Sequence, residues 1–414
     1  MIPLFRALIY KNFSRLYVAG LTSELGSFLT ETALTLLLFD LSQKNAAILG
    51  ISRALFLISM TIGNIIGGPL GEKYDRRNIL IATEFFRMPA IILLFFVQTP
   101  STIIGATAVI AFFTGVFRPT RQTLIVDVVP PGEMKNANSL FASTFAVLHI
   151  TGPFFGAVLY SLLNGINEIL LFDLSTYVLG IYLLRRIQLK KTSKPPAFSL
   201  IQDFKQGLEF VSKRLDVRAI LINNCVAGFS IGILISLLIP YTTESLGWSK
   251  NQYGVLMACF GLGGFIGGTM ASTNKIKMHL GKLILLLITT EGILFIFFNY
   301  ITNYYLCLVL FGIWGFSVFL RVSNQLNYFS TTVDSEYLNR VMSLSEMSFI
   351  TPNILGSTIV GVIGNIYSPH SILLGASLFF VTVIFIRHFM KDTKELKKAS
   401  LTQVHREAYV ETTI

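Results

Sequence analysis

The 414-residue sequence predicts an all-α membrane protein with 12 transmembrane helices in two pseudo-symmetric six-helix bundles. Three observations carry this prediction. Hydrophobic residues make up 53% of the chain and charged ones only 13%, with a mean hydropathy of +0.65, whereas a soluble domain is about 25% charged. The apolar residues gather in runs of spanning length, and twelve spans of roughly 24 residues leave room for short loops, a linker and two ends. Glycine and charge patterns also recur at offsets of 200 and 203 residues, on either side of the longest polar stretch.

The first run, 14–39, is far longer than a signal-peptide core and has no small-residue cleavage site behind it, so it reads as a retained span. Polar residues Ser42 to Asn45 separate it from the second, 46–70. The charged string Lys73 to Arg77 precedes 79–98, and Gln98-Thr99-Pro100 parts that run from 103–128. Pro130-Pro131-Gly132 ends the fourth span before 137–161, and Asn164-Gly165 turns the chain into 168–187. The second half repeats this punctuation around 218–241, 252–273, 281–299, 303–330, 338–364 and 369–390. The expected organisation is a bundle over 1–187, a cytoplasmic linker over 188–217, a second bundle over 218–390 and a polar tail over 391–414. In the linker, Pro195-Pro196 interrupts any helix, while Leu200 to Leu215 has the amphipathic spacing of a helix lying on the inner membrane surface.

A net charge of +11 would suit nucleic acid, but its distribution argues otherwise. With twelve spans both termini share a face, and 26 of the 33 Lys and Arg residues fall on it, against Lys44 and Lys250 on the opposite loops. That bias marks cytoplasmic termini. Arg53, Arg87, Arg118, Arg121 and Arg321 lie within spans. Cys225, Cys259 and Cys307 sit in apolar runs without C-x-x-C spacing, so no disulfide framework, metal or cofactor is expected.

The repeats tie the halves together. Gly63, Gly67 and Gly68 recur as Gly263, Gly267 and Gly268, and Arg118, Glu133 and Asn136 as Arg321, Glu336 and Asn339. Spans 4 and 10 are read as copies, with Arg118 and Arg321 equivalent. Related halves of this kind usually hold substrate between them near the midplane.

The loop after the second span reads Gly68-Pro69-Leu70-Gly71-Glu72-Lys73-Tyr74-Asp75-Arg76-Arg77. It resembles the signature of the major facilitator superfamily, G-x-L-x-D-[RK]-x-G-[RK]-[RK], with Glu72 at the acidic position and Asp75 at the second glycine. This variant is similar to the drug/proton antiporter branch that contains macrolide and siderophore (enterobactin-type) exporters. The resemblance implies a gating latch: Gly68 permits close helix approach, Glu72 faces the start of span 11, and Arg76, beside Arg77, pairs with Asp127. The corresponding loop of the second half has Ser272 at the acidic position. In span 5, Gly152-Pro153-Phe154-Phe155-Gly156 resembles part of the family's antiporter motif; Gly152, Pro153 and Gly156 would thin and bend the helix where the two bundles meet.

Charges inside spans are expensive unless paired or wetted, and so point to function. Glu24 and Glu31, seven residues apart, share a helix face. They are the candidates for proton coupling. Arg118 and Arg321 each lie about ten residues, roughly 15 Å, from the cytoplasmic end. Spans 1, 4, 7 and 10 line the central cavity in the family that the chain resembles, so Arg118, Arg321 and Glu24 are expected to meet there. Asn224, Trp314 and Asn324 are further candidate substrate contacts. Glu84 and Arg87 are expected to satisfy each other at i,i+3 on a peripheral helix, Arg121 to be structural, and Glu291 and Glu346 to be minor proton-carrier candidates. His149 is read as a structural histidine.

The expected function is proton-coupled export of a small organic molecule, an anionic metabolite such as a siderophore or a macrolide-type drug. An importer of a small anionic nutrient and a non-transporting membrane sensor are the alternatives. An intramembrane enzyme is disfavoured, since no H-E-x-x-H, G-x-S-x-G or paired-aspartate motif is present. The partners expected are a small-molecule substrate, protons and the lipid bilayer, with no nucleic acid, for a monomer in a bacterial inner membrane.

Overall fold

The computed structural model describes residues 3–130, 133–163, 165–188, 200–271 and 278–398, and they are helical apart from short connections. A 3-10 segment, Pro3–Ile9, leads into α1 (Lys11–Leu41), α2 (Ala46–Lys73), α3 (Arg76–Phe96), α4 (Pro100–Val128), α5 (Met134–Leu162) and α6 (Asn167–Arg185). Then come α7 (Leu200–Lys213), α8 (Leu215–Pro240) with a π-helical turn at Tyr241–Ser245, α9 (Lys250–Ala271), α10 (Leu280–Tyr300), α11 (Tyr304–Thr332), α12 (Ser335–Ile363) and α13 (Pro369–Arg387).

The punctuation read in the sequence becomes capping. Asn45 accepts from the N–H groups of Ala47 and Ile48 at the start of α2, and Asp75 from Asn78 at the start of α3. Thr99 and Ser368 cap α4 and α13, each followed by a proline in the first helical turn, where its missing N–H is no loss.

Among the described residues, ten helices are long and apolar enough to cross a membrane: all of those named except α1, α5 and α7. The expectation was twelve. α1 has the length, at 31 residues, but Glu24 and Glu31 lower its hydropathy; α5 has the length too, at 29 residues, and several of its side chains lie outside the described residues.

The chain divides into two compact units. The first holds Met1–Ala197 with Gly247–Ala258, so the start of α9 belongs to it; the second holds Phe198–Leu246 with Cys259–Ile414. Within the first, α1 packs on α5 and α6, α2 on α4, and α3 on α4 and α6. Within the second, α8 packs on α12 and α13, and α10 on α11 and α13, which is the same plan.

Glycines set the register of both units. A Cβ on Gly63 would lie 2.0 Å from the Phe112 carbonyl oxygen, and one on Gly263 would lie 1.8 Å from that of Gly312. Gly67 against Val116 is matched by Gly267 against Phe316, and Gly156 against Leu29 by Gly356 against Phe229. Every one of these pairs repeats at an offset of 200 residues, in two different helix crossings. The assignment of Arg321 to Arg118 is corrected by this register: Arg321 corresponds to Arg121. The offset of 203 follows the helix ends and the loop after α4, about one turn out of step with the crossing.

Three further expectations change. Gly152 and Gly156 press on Phe28 and on Leu29 and Thr32 of α1, so their missing side chains serve packing inside the first unit. α7 is helical as expected but packs within the second unit: Gly207 abuts Leu344, and Phe210 stacks on Tyr337 at 4.6 Å. Residues 391–398, expected in the tail, are helical; Leu396 is buried in a core with Ile284, Tyr328 and Val341.

Candidate substrate and ion-coupling site

In the first unit, α1, α3, α4 and α6 bring buried charges together. Arg118 grips Glu24 with two parallel hydrogen bonds, Nε to Oε1 and Nη2 to Oε2, both 3.1 Å. This fork-to-fork geometry fixes both groups. The two members differ in access: the Arg118 side chain is 30% exposed and Glu24 only 4%. One turn along α4, Arg121 reaches the same carboxylate at 3.5 Å, and its guanidinium lies over Phe145, Phe141 and Phe117 at 4.2, 5.0 and 5.7 Å. Cationic planes stack well on such rings, which help to hold a buried arginine.

The α3 pair is not peripheral. Ser23, next to Glu24, donates to Glu84 at 3.1 Å, and Arg87 donates to Ser23 at 3.2 Å while approaching Glu84 at 3.5 Å. Arg87 is capped by the Phe117 and Tyr177 rings. One member was missed by sequence reasoning: Asp173 of α6 is fully buried, accepts a hydrogen bond from the Tyr177 hydroxyl at 3.1 Å, and sits against Gly26, where a Cβ would come within 2.4 Å of its Oδ1. Its signal was available, since it is a lone carboxylate in an apolar run like Glu24. Glu24, Glu31, Arg118 and Asp173 line one narrow cavity of about 30 Å³, room for only about two waters. Glu31 shares that face as expected and holds Arg53 of α2 at 2.9 Å.

Residues of the expected latch lie at the C-terminal end of α4, beyond Arg121. Arg76 donates to Asp127 at 2.8 Å and also to the carbonyls of Gly71 and Thr123. Arg77 donates instead to the Ile187 carbonyl at 3.0 Å. The side chains of Gly68, Glu72 and His149 and the loop containing Ser272 lie outside the described residues.

The sequence matches the model of a family described as transmembrane secretion effector over residues 4–413. The chain belongs to that family of the major facilitator superfamily. It is 22% identical to the staphyloferrin A transporter of Staphylococcus aureus over 85% of this chain and 90% of that one. It is 24% identical to the multidrug efflux pump Tap of Mycolicibacterium fortuitum, covering 92% and 96% of the two chains. The nucleoside transporter NupG has the same fold, with a TM-score of 0.70 at 12% identity over 91% of this chain and 98% of that one. Fold and family are those of transporters.

In the second unit of this major facilitator protein, Arg321 is enclosed. It binds Glu291 of α10 through Nε at 2.6 Å and Nη2 at 3.2 Å, with both side chains only 4% exposed. Glu291 is therefore the counterion of Arg321 within α10 and α11. Nη1 of Arg321 donates to Asn224 at 3.3 Å, and Asn224 and Gln325 both donate to Ser345 of α12 at 3.1 and 2.8 Å. Asn324 turns its amide to the Leu320 carbonyl. Trp314 is buried among Phe295, Phe298 and Phe311, with ring centroids 5.4 to 6.5 Å apart. Asn224, Arg321 and Gln325 thus form one network with Ser345, whereas Trp314 packs on aromatic rings of α10 and α11 and Asn324 bonds within its own helix.

Proposed function

We propose that this transporter exports a small organic anion in a proton-coupled cycle, through twelve spans that include α1 and α5, with both termini on the cytoplasmic side of a bacterial inner membrane and the monomer as the working unit. The observation that carries the reading is the Arg118–Glu24 pair. Its arginine is the accessible partner and its carboxylate the buried one. An anionic group arriving in the cavity competes for the Arg118 guanidinium, and a Glu24 left without that partner in a dry site takes up a proton. Removal of the anion reverses both steps. Binding of cargo and of proton are thereby linked through one side chain.

Arg118 is the proposed cargo contact and Glu24 the proposed coupling carboxylate, with Glu31 at the far end of the same face. Arg321, satisfied by Glu291 and Asn224, positions α8, α10 and α11. The similar efflux pump Tap supports export of a small molecule, the similar staphyloferrin A transporter supports a small organic cargo, and a carboxylate-bearing metabolite of the siderophore type suits a bidentate guanidinium. The Arg76–Asp127 contact is the proposed latch, strained or released as the transporter changes state.

The test is a comparison of culture media. A strain lacking this protein should lose an anionic metabolite from the medium and retain it inside. Accumulation of that metabolite in inside-out vesicles should depend on the pH gradient across them, and Glu24→Gln should remove that dependence. A metabolite that instead builds up outside the deletion strain would establish import and overturn the reading.

A further inference from the structure

A second site lies away from the ion cluster, on the flank of the first unit. Along α3, Arg77, Asn78, Ile81, Ala82, Phe85 and Phe86 form one stripe, and Ile181 and Arg185 of α6 complete a groove of about 470 Å³. The groove is apolar along its length, with Phe85 and Phe86 more than half exposed, and cationic at one end. No carboxylate lines it. Arg77 gives one N–H to the Ile187 carbonyl, and its Nε has no partner. Arg185 has neither an ion pair nor a hydrogen bond among the described residues. Two guanidiniums therefore sit at one end of a hydrophobic trough, with no carboxylate beside them in its lining.

We propose that this groove holds one anionic phospholipid, its phosphate between Arg77 and Arg185 and an acyl chain along Ile81, Phe85 and Ile181. The dimensions suit that occupant. From Arg77 to Phe86 the helix rises about 14 Å, close to the roughly 15 Å hydrocarbon depth of one leaflet. Basic pockets between spanning helices favour anionic headgroups, because arginine binds phosphate through parallel donors and the apolar wall seats the chain. A free phosphate would use the arginines and leave the trough uncovered. The lipid would come from the cytoplasmic leaflet, a point that rests on the topology proposed above; the binding itself does not.

The test uses the full-length protein in detergent, titrated with phosphatidylglycerol or phosphatidylcholine of identical chains and read by native mass spectrometry. One phosphatidylglycerol should be retained preferentially, and inorganic phosphate at equal concentration should not displace it. Arg185→Gln should weaken retention by about 5-fold, as should Arg77→Gln. Ala82→Trp, which fills the trough and keeps both charges, should also weaken it. Arg186→Gln is the control: it removes the same charge one residue away, where the guanidinium lies over the Tyr182 ring at 4.5 Å, and should leave retention unchanged. Equal retention of the two lipids, or equal losses in Arg185→Gln and Arg186→Gln, would overturn the proposal. Because the readout is lipid binding alone, its result is independent of whether the cargo reading survives.

Discussion

Arg321 occupies in the second unit the station that Arg121 occupies in the first, 200 residues earlier in the chain. In that same register Glu24, which faces Arg121 at 3.5 Å, corresponds to Asn224, which faces Arg321 at 3.3 Å. One carboxylate has become an amide, and Glu291 supplies the missing charge from a different helix. The two units share a backbone plan and differ in access: the first holds the partly accessible Arg118–Glu24 pair beside the enclosed Arg87–Glu84 pair, and in the second Arg321–Glu291 is enclosed.

The accessible pair predicts a separation of binding from coupling. Glu24→Gln removes the titratable group and leaves Arg118 in place, so cargo exchange should persist while its dependence on a pH gradient disappears. Arg118→Lys keeps the charge but loses the two-pronged geometry and should lower the affinity for an anionic cargo about tenfold, equivalent to ~1.4 kcal/mol. Counterflow in proteoliposomes at pH 6 and pH 8 measures both. Unchanged pH dependence in Glu24→Gln would remove the proposed role of this residue.

The enclosed pair predicts a stability effect. Glu291→Gln strands a buried guanidinium and should destabilise the fold by ~3–5 kcal/mol. The double substitution Glu291→Leu with Arg321→Met removes both charges and should recover most of that loss. Thermal unfolding in detergent reports the order: wild type and double variant high, single variant low.

Glycine positions predict sharply different tolerance to the same change. Gly63→Ala and Gly263→Ala each drive a methyl group into a facing carbonyl and should destabilise by ~1–3 kcal/mol or more. Gly105→Ala and Gly375→Ala meet nothing within 4 Å and should unfold like the wild type. Monodispersity in size-exclusion chromatography gives the first reading, and unfolding midpoints the second.

The Arg76–Asp127 contact predicts a partial rescue. Arg76→Ala and Asp127→Ala should each slow transport. The exchange of the two, Arg76→Asp with Asp127→Arg, should restore part of the rate, because the ion pair returns while the bonds from Arg76 to the Gly71 and Thr123 carbonyls do not. A double exchange no better than either single variant would show that the pair itself contributes nothing to the rate.

Membrane helices announce themselves in sequence because every buried backbone group must be satisfied locally, leaving apolar composition and periodic punctuation as direct readouts. Fold class, the two related halves, the approximate positions of the helices and the family all follow from the sequence, while the caps Asp75 and Thr99 start α3 and α4 three residues before the apolar runs. So does the pairing of Arg76 with Asp127, through the resemblance that placed them. What the sequence could not decide was partnership across helices. Neither the place of Asp173 beside α1 nor that of Glu291 beside Arg321 is legible in the sequence, because the distance between α6 and α1 or between α10 and α11 is fixed by packing rather than by chain order. The equivalence of Arg321 with Arg121 likewise depended on where Gly63 meets Phe112 and Gly263 meets Gly312. A helix turned by one residue moves a side chain by about 100°, so only the packed structure determines which buried charge faces which.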